Sequence, residues 1–361
     1  MLKSFNADVK TVGIKYAGSK KKIIPNLISE IQKYDVKTVL DGFSGSTRVS
    51  QALALCGYNV ICNDVSCWSE VFGKAFLYPR NQKDAEDLIA HLNAVKPIDG
   101  WFTEKYGGEI SDQKKVWQKK NTRKLDAIRD EIDKLDLSDV QKSIALTALI
   151  FALDKVDSTL GHFTSYLRDW SARSHNDLRL LTPRYQGQEG EHLVTQKDIL
   201  KDRFGKVDLA YFDPPYGSNN EKMPPSRVRY ASYYHLWTTI IKNDRPDIFG
   251  AASRRTDTSD KVAITPFEEF KKGDDGKFIA LKSIDSALDR IDASYIILSY
   301  SSGGRATASE LADVIASKGK VLDTVLIDYK KHIMTSMKWT NEWVNESKEP
   351  HKEFLFVLQK E

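Results

Sequence analysis

Val207-Asp208-Leu209-Ala210-Tyr211-Phe212-Asp213-Pro214-Pro215-Tyr216 begins as a strand and ends as a rigid polar corner. Its first six residues are apolar at every position but one, the pattern of a strand covered on both faces. Two consecutive prolines stiffen the exit and remove two backbone donors, while their carbonyls remain as acceptors. An acid, fixed carbonyls and an aromatic ring therefore converge at one strand end. That set suits an exocyclic amino group: Asp213 and the Pro214 carbonyl accept its hydrogens, and Tyr216 stacks on its ring. A proline turn with a capping Asp would explain only two of the four residues.

Five more runs read as buried strands: 37–41 (KTVLD), 58–63 (YNVICN), 294–300 (SYIILSY), 321–328 (VLDTVLID) and 353–358 (EFLFVL). They are mostly continuous, not alternating, which predicts a largely parallel sheet with helices on both faces. The last two are expected to form an antiparallel edge pair. Two stretches interrupt the scheme. In 78–185, Leu125, Ile128, Ile132 and Leu135 form one helical stripe, and an apolar helix follows around 144–153. This reads as an inserted helical subdomain. The second stretch, 218–290, is rich in Pro, Lys, Arg and Tyr and reads as a long functional loop with some helix.

Composition narrows the class. The chain has 361 residues, 41% hydrophobic and 29% charged, enough for a core and too apolar for disorder. Its formal net charge of +4 permits nucleic-acid binding without demanding it. The longest apolar run, 144–153 (IALTALIFAL), is half a bilayer span, so no membrane partner is expected. The start, MLKSFNADVK, has no apolar run after its lysine, so no signal peptide is expected. Cys56, Cys62 and Cys67 lack a paired C-x-x-C and read as core thiols of a reducing cytosol, with no metal site.

Two further segments carry chemistry. In 39–47 (VLDGFSGST) a strand ends in Asp41, a turn with Gly42 and Gly45 follows, and then a helix. Such a turn lets a ligand approach the backbone and offers it free N–H groups. Twenty-three residues after Asp41 a second strand ends in Asn63-Asp64. An acid there commonly holds ribose hydroxyls, although it also serves as a helix cap. G-x-G-x-x-G is absent, so the turn alone does not mark a dinucleotide site. Finally, Lys15-Tyr16-Ala17-Gly18-Ser19-Lys20 precedes a helix. A small-residue turn flanked by lysine and an aromatic ring can hold an anionic or adenine-bearing ligand.

K-Y-A-G-x-K, then D-x-F-x-G, then D-P-P-Y resembles the arrangement of the Dam-like (D12 class, α-group) DNA adenine-N6 methyltransferases of type II modification systems. The resemblance implies a class I methyltransferase (Rossmann-like), mostly parallel seven-stranded sheet with its last strand antiparallel, and an inserted, mainly helical target-recognition region. It implies a catalytic domain of 1–77 and 186–361, an insertion of 78–185, and S-adenosylmethionine as cofactor. Tyr16, Ala17, Gly18 and Lys20 would contact that cofactor. Asp41, Phe43, Ser44 and Gly45 would shape its pocket, Asp64 and Val65 would face its ribose, and Asp198 and Ile199 its adenine. Asp213, Pro214, Pro215 and Tyr216 would carry catalysis, with Asp213 also facing the cofactor. Ser299 and Tyr300 would close the far side of the target-base pocket. Thr47 stands where many members have a second glycine, and Ser19 replaces a common glycine.

The expected macromolecular partner is double-stranded DNA. The segment 114–124 (KKVWQKKNTRK) holds six basic residues in eleven, among them Lys119 and Lys120. The segment 166–185 interleaves Arg168, Arg173, Arg179 and Arg184 with Tyr166, Trp170, His175 and Asn176, and arginine and asparagine are the types that read base edges bidentately. Lys222, Arg227, Arg229, Tyr234 and His235 follow the tetrapeptide within 218–290, as an additional DNA-binding loop region. A base inside a duplex is unreachable, so the adenine would flip out. A cytoplasmic enzyme of prokaryotic or phage type, with a cognate restriction endonuclease acting on the same site, is the expected setting. Three alternatives stay open: an N4-cytosine DNA methyltransferase, an RNA-adenine or protein-glutamine methyltransferase, and a catalytically silent DNA-binding protein.

Overall fold

A computed structural model describes residues 10–111, 115–187, 190–217, 229–262, 265–302, 304–328, 334–336 and 352–360. The core is one sheet built from β1 (Thr38–Asp41), β2 (Asn59–Asn63), β3 (Leu193–Thr195), β4 (Val207–Phe212), β5 (Ala293–Ser301), β6 (Gly319–Asp328), β7 (Met334–Ser336) and β8 (Lys352–Lys360). Their spatial order is β7-β6-β8-β5-β4-β1-β2-β3. The five strands from β3 to β5 are parallel, and β8 runs antiparallel between β5 and β6. This is the arrangement that the resemblance implies, with the short β7 added at one edge.

The continuous apolar runs have the expected cause. On β5, Ile297 enters one core while Ile296 and Leu298 enter the other; on β8, Leu355 and Val357 oppose Phe354 and Phe356. Both faces are dry, so both side-chain phases are apolar. Two expectations change. The strands β6 and β8 do pair antiparallel, but β8 is not at the edge: it is buried between β5 and β6, which is why it reads EFLFVL. The strands β3 and β7 are three residues each, too short for a periodic signal.

One face carries α1 (Ile24–Ile31), α2 (Arg48–Leu55) and α3 (Cys67–Leu77), joined by α4 (Gln82–Ala94), α6 (Lys119–Lys134) and α7 (Asp139–Val156). Between α4 and α6 lies α5 (Trp101–Tyr106). Leu125, Ile128 and Ile132 of α6 are buried, with Leu135 packed beside them, as the stripe predicts. A capping box of Ser138 and Gln141 starts α7, whose Ile144–Leu153 stretch lies against α3. The helices of 78–185 share one apolar core with the sheet face; they do not close a core of their own. Beyond β4 come α8 (Tyr230–Tyr233) and α9 (His235–Lys242). The opposite face is covered by α10 (Ile279–Arg290) and α11 (Ala308–Ala316). Among the described residues no helix is long and apolar enough to cross a membrane.

The site follows from the strand order. From β1 the chain continues to β2 on one side, while β4 flanks β1 on the other. Parallel α/β sheets open a crevice at the carboxyl ends where the order reverses. Asp41 pairs in register with Tyr211, and the Gly42 amide donates to the Tyr211 carbonyl at 3.0 Å. The glycine turn and the D-P-P-Y corner, about 170 residues apart in sequence, therefore become neighbours.

Candidate active site

A cavity of about 480 Å³ opens at this reversal point, within the usual size of a small-molecule site. The turn after β1 forms one wall. A Cβ on Gly42 would lie 2.4 Å from the Phe212 ring. Gly45 has φ +48°, and its Cβ would press on the Tyr16 ring at 3.0 Å. Both positions therefore need glycine, one for close approach and one also for left-handed backbone. Thr47 has φ 61°, so it takes up the left-handed conformation that a glycine would adopt without strain. The Gly45 amide donates to Asp64 Oδ2 at 2.8 Å, while Asp64 Oδ1 accepts from the Ser66 amide and hydroxyl. Burial raises the Asp64 carboxyl above its ordinary range, with those hydrogen bonds opposing.

The second wall is the tetrapeptide. Asp213 Oδ2 lies 3.8 Å from Lys20 Nζ, and Asp213 Oδ1 is buried without a hydrogen-bond partner among the described residues. Burial, then the nearby carboxylates, hold Asp213 well above the usual carboxylate range; Lys20 opposes. The Tyr216 hydroxyl is bonded to Lys20 Nζ (2.5 Å), Ser299 Oγ (2.9 Å) and Glu353 Oε1 (2.6 Å). Ser299 and Tyr300 stand behind Tyr216 instead of lining the cavity, because β5 lies beneath the β4 exit.

The third wall is aromatic. Tyr16 stacks between Tyr234 (ring centroids 4.7 Å apart) and Tyr230 (5.3 Å). The Ala17 amide donates to the Tyr234 hydroxyl, and the Tyr230 hydroxyl donates to the Ala17 carbonyl. Phe43 meets Phe267 edge-on at 5.2 Å.

Of the expected site residues, Tyr16, Gly18, Lys20, Phe43, Gly45, Asp64, Val65, Asp198, Ile199, Asp213, Pro214, Pro215 and Tyr216 all line the cavity. Ala17 does not line it and serves through its backbone bonds. Asp41 and Ser44 lie one layer deeper, around a recess of about 30 Å³ that also touches Asp213. Asp41 accepts from the Ser50 hydroxyl, and burial pushes its carboxyl up to about 7. Sequence reasoning missed Glu353, Phe267 and Glu268. Glu268 lines the cavity, accepts from the Tyr230 amide at 2.6 Å, and is raised by burial to about 7. None of the three sits in a recognisable pattern, so only folding could reveal them.

The DNA-facing candidates divide. Arg168 and Arg179 are exposed and, among the described residues, make no hydrogen bond or ion pair. Lys119 and Lys120 are exposed at the start of α6, paired with Glu109 and Asp177 respectively. Arg173 is tied to the Asp157 carboxylate at 2.8 Å. Three candidates require correction. Tyr234 is 1% exposed, filling the stack beneath Tyr16, and His235 is fully buried against the Phe163 carbonyl. Burial lowers the His235 imidazole to about 3, so it is uncharged at neutral pH. Arg229 is 5% exposed and donates to the Val262 carbonyl. Buried side chains have no surface to offer a phosphate or a base edge. Lys222 and Arg227 lie outside the described residues. Among the described residues no cluster of three His, Cys, Asp or Glu side chains is placed to hold a metal ion.

The chain as a whole is similar to known proteins. The chain is 25% identical over 371 residues to modification methylase StsI of Streptococcus sanguinis, covering 96% of this chain and 52% of that protein. It is 23% identical over 370 residues to the type II methyltransferase M.FokI of Planomicrobium okeanokoites, covering 96% and 53%. It thus spans about half the length of these two relatives. The type II methyltransferase M.CviAII of Paramecium bursaria Chlorella virus 1 is 23% identical and is covered over 92% of its length. The family model of D12 class N6 adenine-specific DNA methyltransferases matches residues 16–268, from the tyrosine of the first motif to the glutamate of the cavity wall. The chain belongs to the family of D12 class N6 adenine-specific DNA methyltransferases.

Proposed function

We propose that this protein transfers a methyl group from S-adenosylmethionine to N6 of an adenine flipped out of double-stranded DNA at a specific sequence. The observation that carries the reading is Asp213: a carboxylate oxygen without a partner among the described residues, beside fixed proline carbonyls and an anchored Tyr216, on the wall of a cavity shared with the glycine turn.

The residues present fit the cofactor. Gly42 and Gly45 let the Phe212 and Tyr16 rings close on the turn and shape its wall, Phe43 and Ile199 offer apolar walls, and Asp64 is the carboxylate that would accept from ribose hydroxyls. When bound, the cofactor supplies a sulfonium-activated methyl group. The chain's own residues do the rest. The adenine N6 lone pair is delocalised into the ring and is a poor nucleophile. Hydrogen bonds from N6 to Asp213 and to the Pro214 carbonyl would draw the nitrogen toward sp³ geometry and free the lone pair for in-line attack. The methyl–sulfur bond would break as the N6–methyl bond forms, and the surplus N6 proton would leave along its hydrogen bond to the Asp213 carboxylate. Positioning and electrostatics supply most of the acceleration. Flipping the base costs about a few kcal/mol, and stacking on Tyr216 returns about 1–3 kcal/mol of it.

Residues 1–77 and 186–361 form the catalytic part in this reading, and 78–185 the DNA-recognition part, with 218–290 adding a second DNA-facing region. The protein works in the cytoplasm of a bacterial or phage-infected cell, and a restriction endonuclease of the same specificity is the expected companion. Labelled S-adenosylmethionine, incubated with the protein and duplex DNA, single-stranded DNA or RNA, tests the reading after nucleoside digestion. Label in N6-methyl-deoxyadenosine from duplex DNA is expected; label only in N4-methylcytosine, in RNA or in protein overturns it.

A further inference from the structure

Glu353 lies on β8, far in sequence from every motif and outside the residues that the family model matches. Its residue is 2% exposed. One oxygen, Oε1, accepts from Lys20 Nζ (2.6 Å), the Tyr216 hydroxyl (2.6 Å) and the Ser299 hydroxyl (2.5 Å). A buried carboxylate is costly unless paired and hydrogen-bonded, and three donors on one oxygen meet that need.

The same contacts act on the catalytic corner. The Tyr216 hydroxyl accepts from Lys20 and donates to Glu353, whose Oε1 also accepts from the Ser299 hydroxyl, itself 2.9 Å from that of Tyr216, so the Tyr216 ring is held in place. Lys20 Nζ is held 2.6 Å from Glu353 but 3.8 Å from Asp213. Asp213 thus feels the cation without being capped by it. We infer that Glu353 is a positioning residue of the methyl-transfer site: it fixes the Tyr216 ring plane and draws Lys20 off Asp213, leaving that carboxylate open to the target amine. The inference rests on the function proposed above.

Among the described residues, the charged and titratable groups facing Asp213 are Lys20 before α1, Asp41 at the end of β1, Asp64 after β2, Tyr211 on β4, Tyr216 of the same corner, Tyr230 on α8 and Glu353 on β8. Glu353→Gln removes one negative charge from this set and frees Lys20 to close on Asp213. Both changes favour ionised Asp213, so the acid limb of kcat should move to lower pH. In the same variant kcat should fall, because Asp213 becomes capped and Tyr216 loses an anchor; displacements on the ångström scale cost on the order of 10²-fold. Cofactor affinity by calorimetry should stay unchanged. Ser299→Ala keeps every charge and guards against a Glu353 variant that fails to fold; it should lower kcat about five-fold, the worth of one hydrogen bond, with the acid limb in place. An unaltered kcat in Glu353→Gln overturns the inference. So does a joint fall of kcat, Tm and cofactor affinity with no shift of the acid limb, which is what a packing role gives. For Ser299→Ala, an unchanged kcat counts against it.

If the wild-type protein methylates no adenine, the functional reading fails first, and a readout without activity still tests Glu353. In ¹³Cζ-tyrosine spectra, with the Tyr216 signal identified by its loss in Tyr216→Phe, the phenol should titrate at lower pH in Glu353→Gln than in wild type. Burial and the Glu353 carboxylate hold that phenol well above its ordinary value. Identical titration in the two proteins overturns the placement.

Discussion

Asp213 carries two opposed properties. The role proposed for it requires an ionised acceptor, yet burial, with Asp41, Glu353 and Asp64 nearby, favours its neutral form. Turnover should therefore fall on the acid side with a midpoint well above the ordinary carboxylate range. Asp213→Asn keeps a carbonyl acceptor and loses the titration: kcat should drop on the order of 10²-fold while its pH profile flattens on the acid side. A retained acid limb would assign it to another group. A separate role, cofactor binding, is proposed for Asp64. Asp64→Ala removes a charge-assisted acceptor, so cofactor binding should weaken by about 1.5–3 kcal/mol, with binding of DNA alone unaltered. Calorimetry showing unchanged cofactor affinity would return Asp64 to holding the Gly45 and Ser66 amides. Asp41 makes a stability prediction. Its folded-state carboxyl titrates at about 7, above its ordinary value of 3.8, so the folded chain binds the proton more tightly than the unfolded chain. Between those values stability falls as pH rises. Asp41→Asn has no such loss, so its Tm relative to wild type should rise steadily from pH 4 to about 7; a constant difference would refute the assignment.

At the scale of elements, the turn after β1 and the helix α7 show different constraints. Gly45 combines φ +48° with a Tyr16 ring at 3.0 Å from any added Cβ. Gly45→Ala should destabilise the fold by about 1–2 kcal/mol through left-handed strain alone, and should loosen cofactor binding by displacing Tyr16. Equal Tm and affinity for the variant would exclude both effects. Helix α7 lies in the middle of the apolar face, with Leu149 and Leu153 fully buried. Leu149→Ala should cost about 2–5 kcal/mol of global stability, read as one cooperative shift in denaturant. A separate early transition confined to 78–185 would show instead that the insertion unfolds by itself.

For the molecule as a whole, the proposed function raises the question of which surface would meet DNA. Lys119 and Lys120 begin α6, and Arg168 and Arg179 stand exposed on the segments after α7. Phosphate contacts set affinity, and base contacts set sequence. Neutralising Lys119 and Lys120 together should weaken all DNA sequences alike and reduce the salt slope by about one unit per contact. Replacing Arg168 or Arg179 should relax the methylated sequence at one position, with about 1–3 kcal/mol of discrimination lost. Methylation mapped across a randomised duplex library separates the two. An unaltered sequence preference in both arginine variants moves base reading to 218–290, where Lys222 and Arg227 stand in the sequence.

Local chemistry made much of this protein legible before folding. Six strands could be read because a strand buried on both faces must be apolar in both phases. The two strand-end motifs could be read because glycine and proline impose backbone geometry wherever they stand. Burial and partnership, by contrast, belong to no residue type. Tyr234, His235 and Arg229 have the composition of a DNA-binding loop, and only packing shows them to be core. Arg173 reads like its neighbours Arg168 and Arg179 until Asp157 is found at 2.8 Å. Glu353 reads as one acid at the head of an apolar strand. The insertion of β8 between β5 and β6 carries it to Lys20 and Tyr216, 333 and 137 residues away. Sequence patterns act over a few residues, whereas the electrostatics of this site depend on strand order, which only the folded sheet decides.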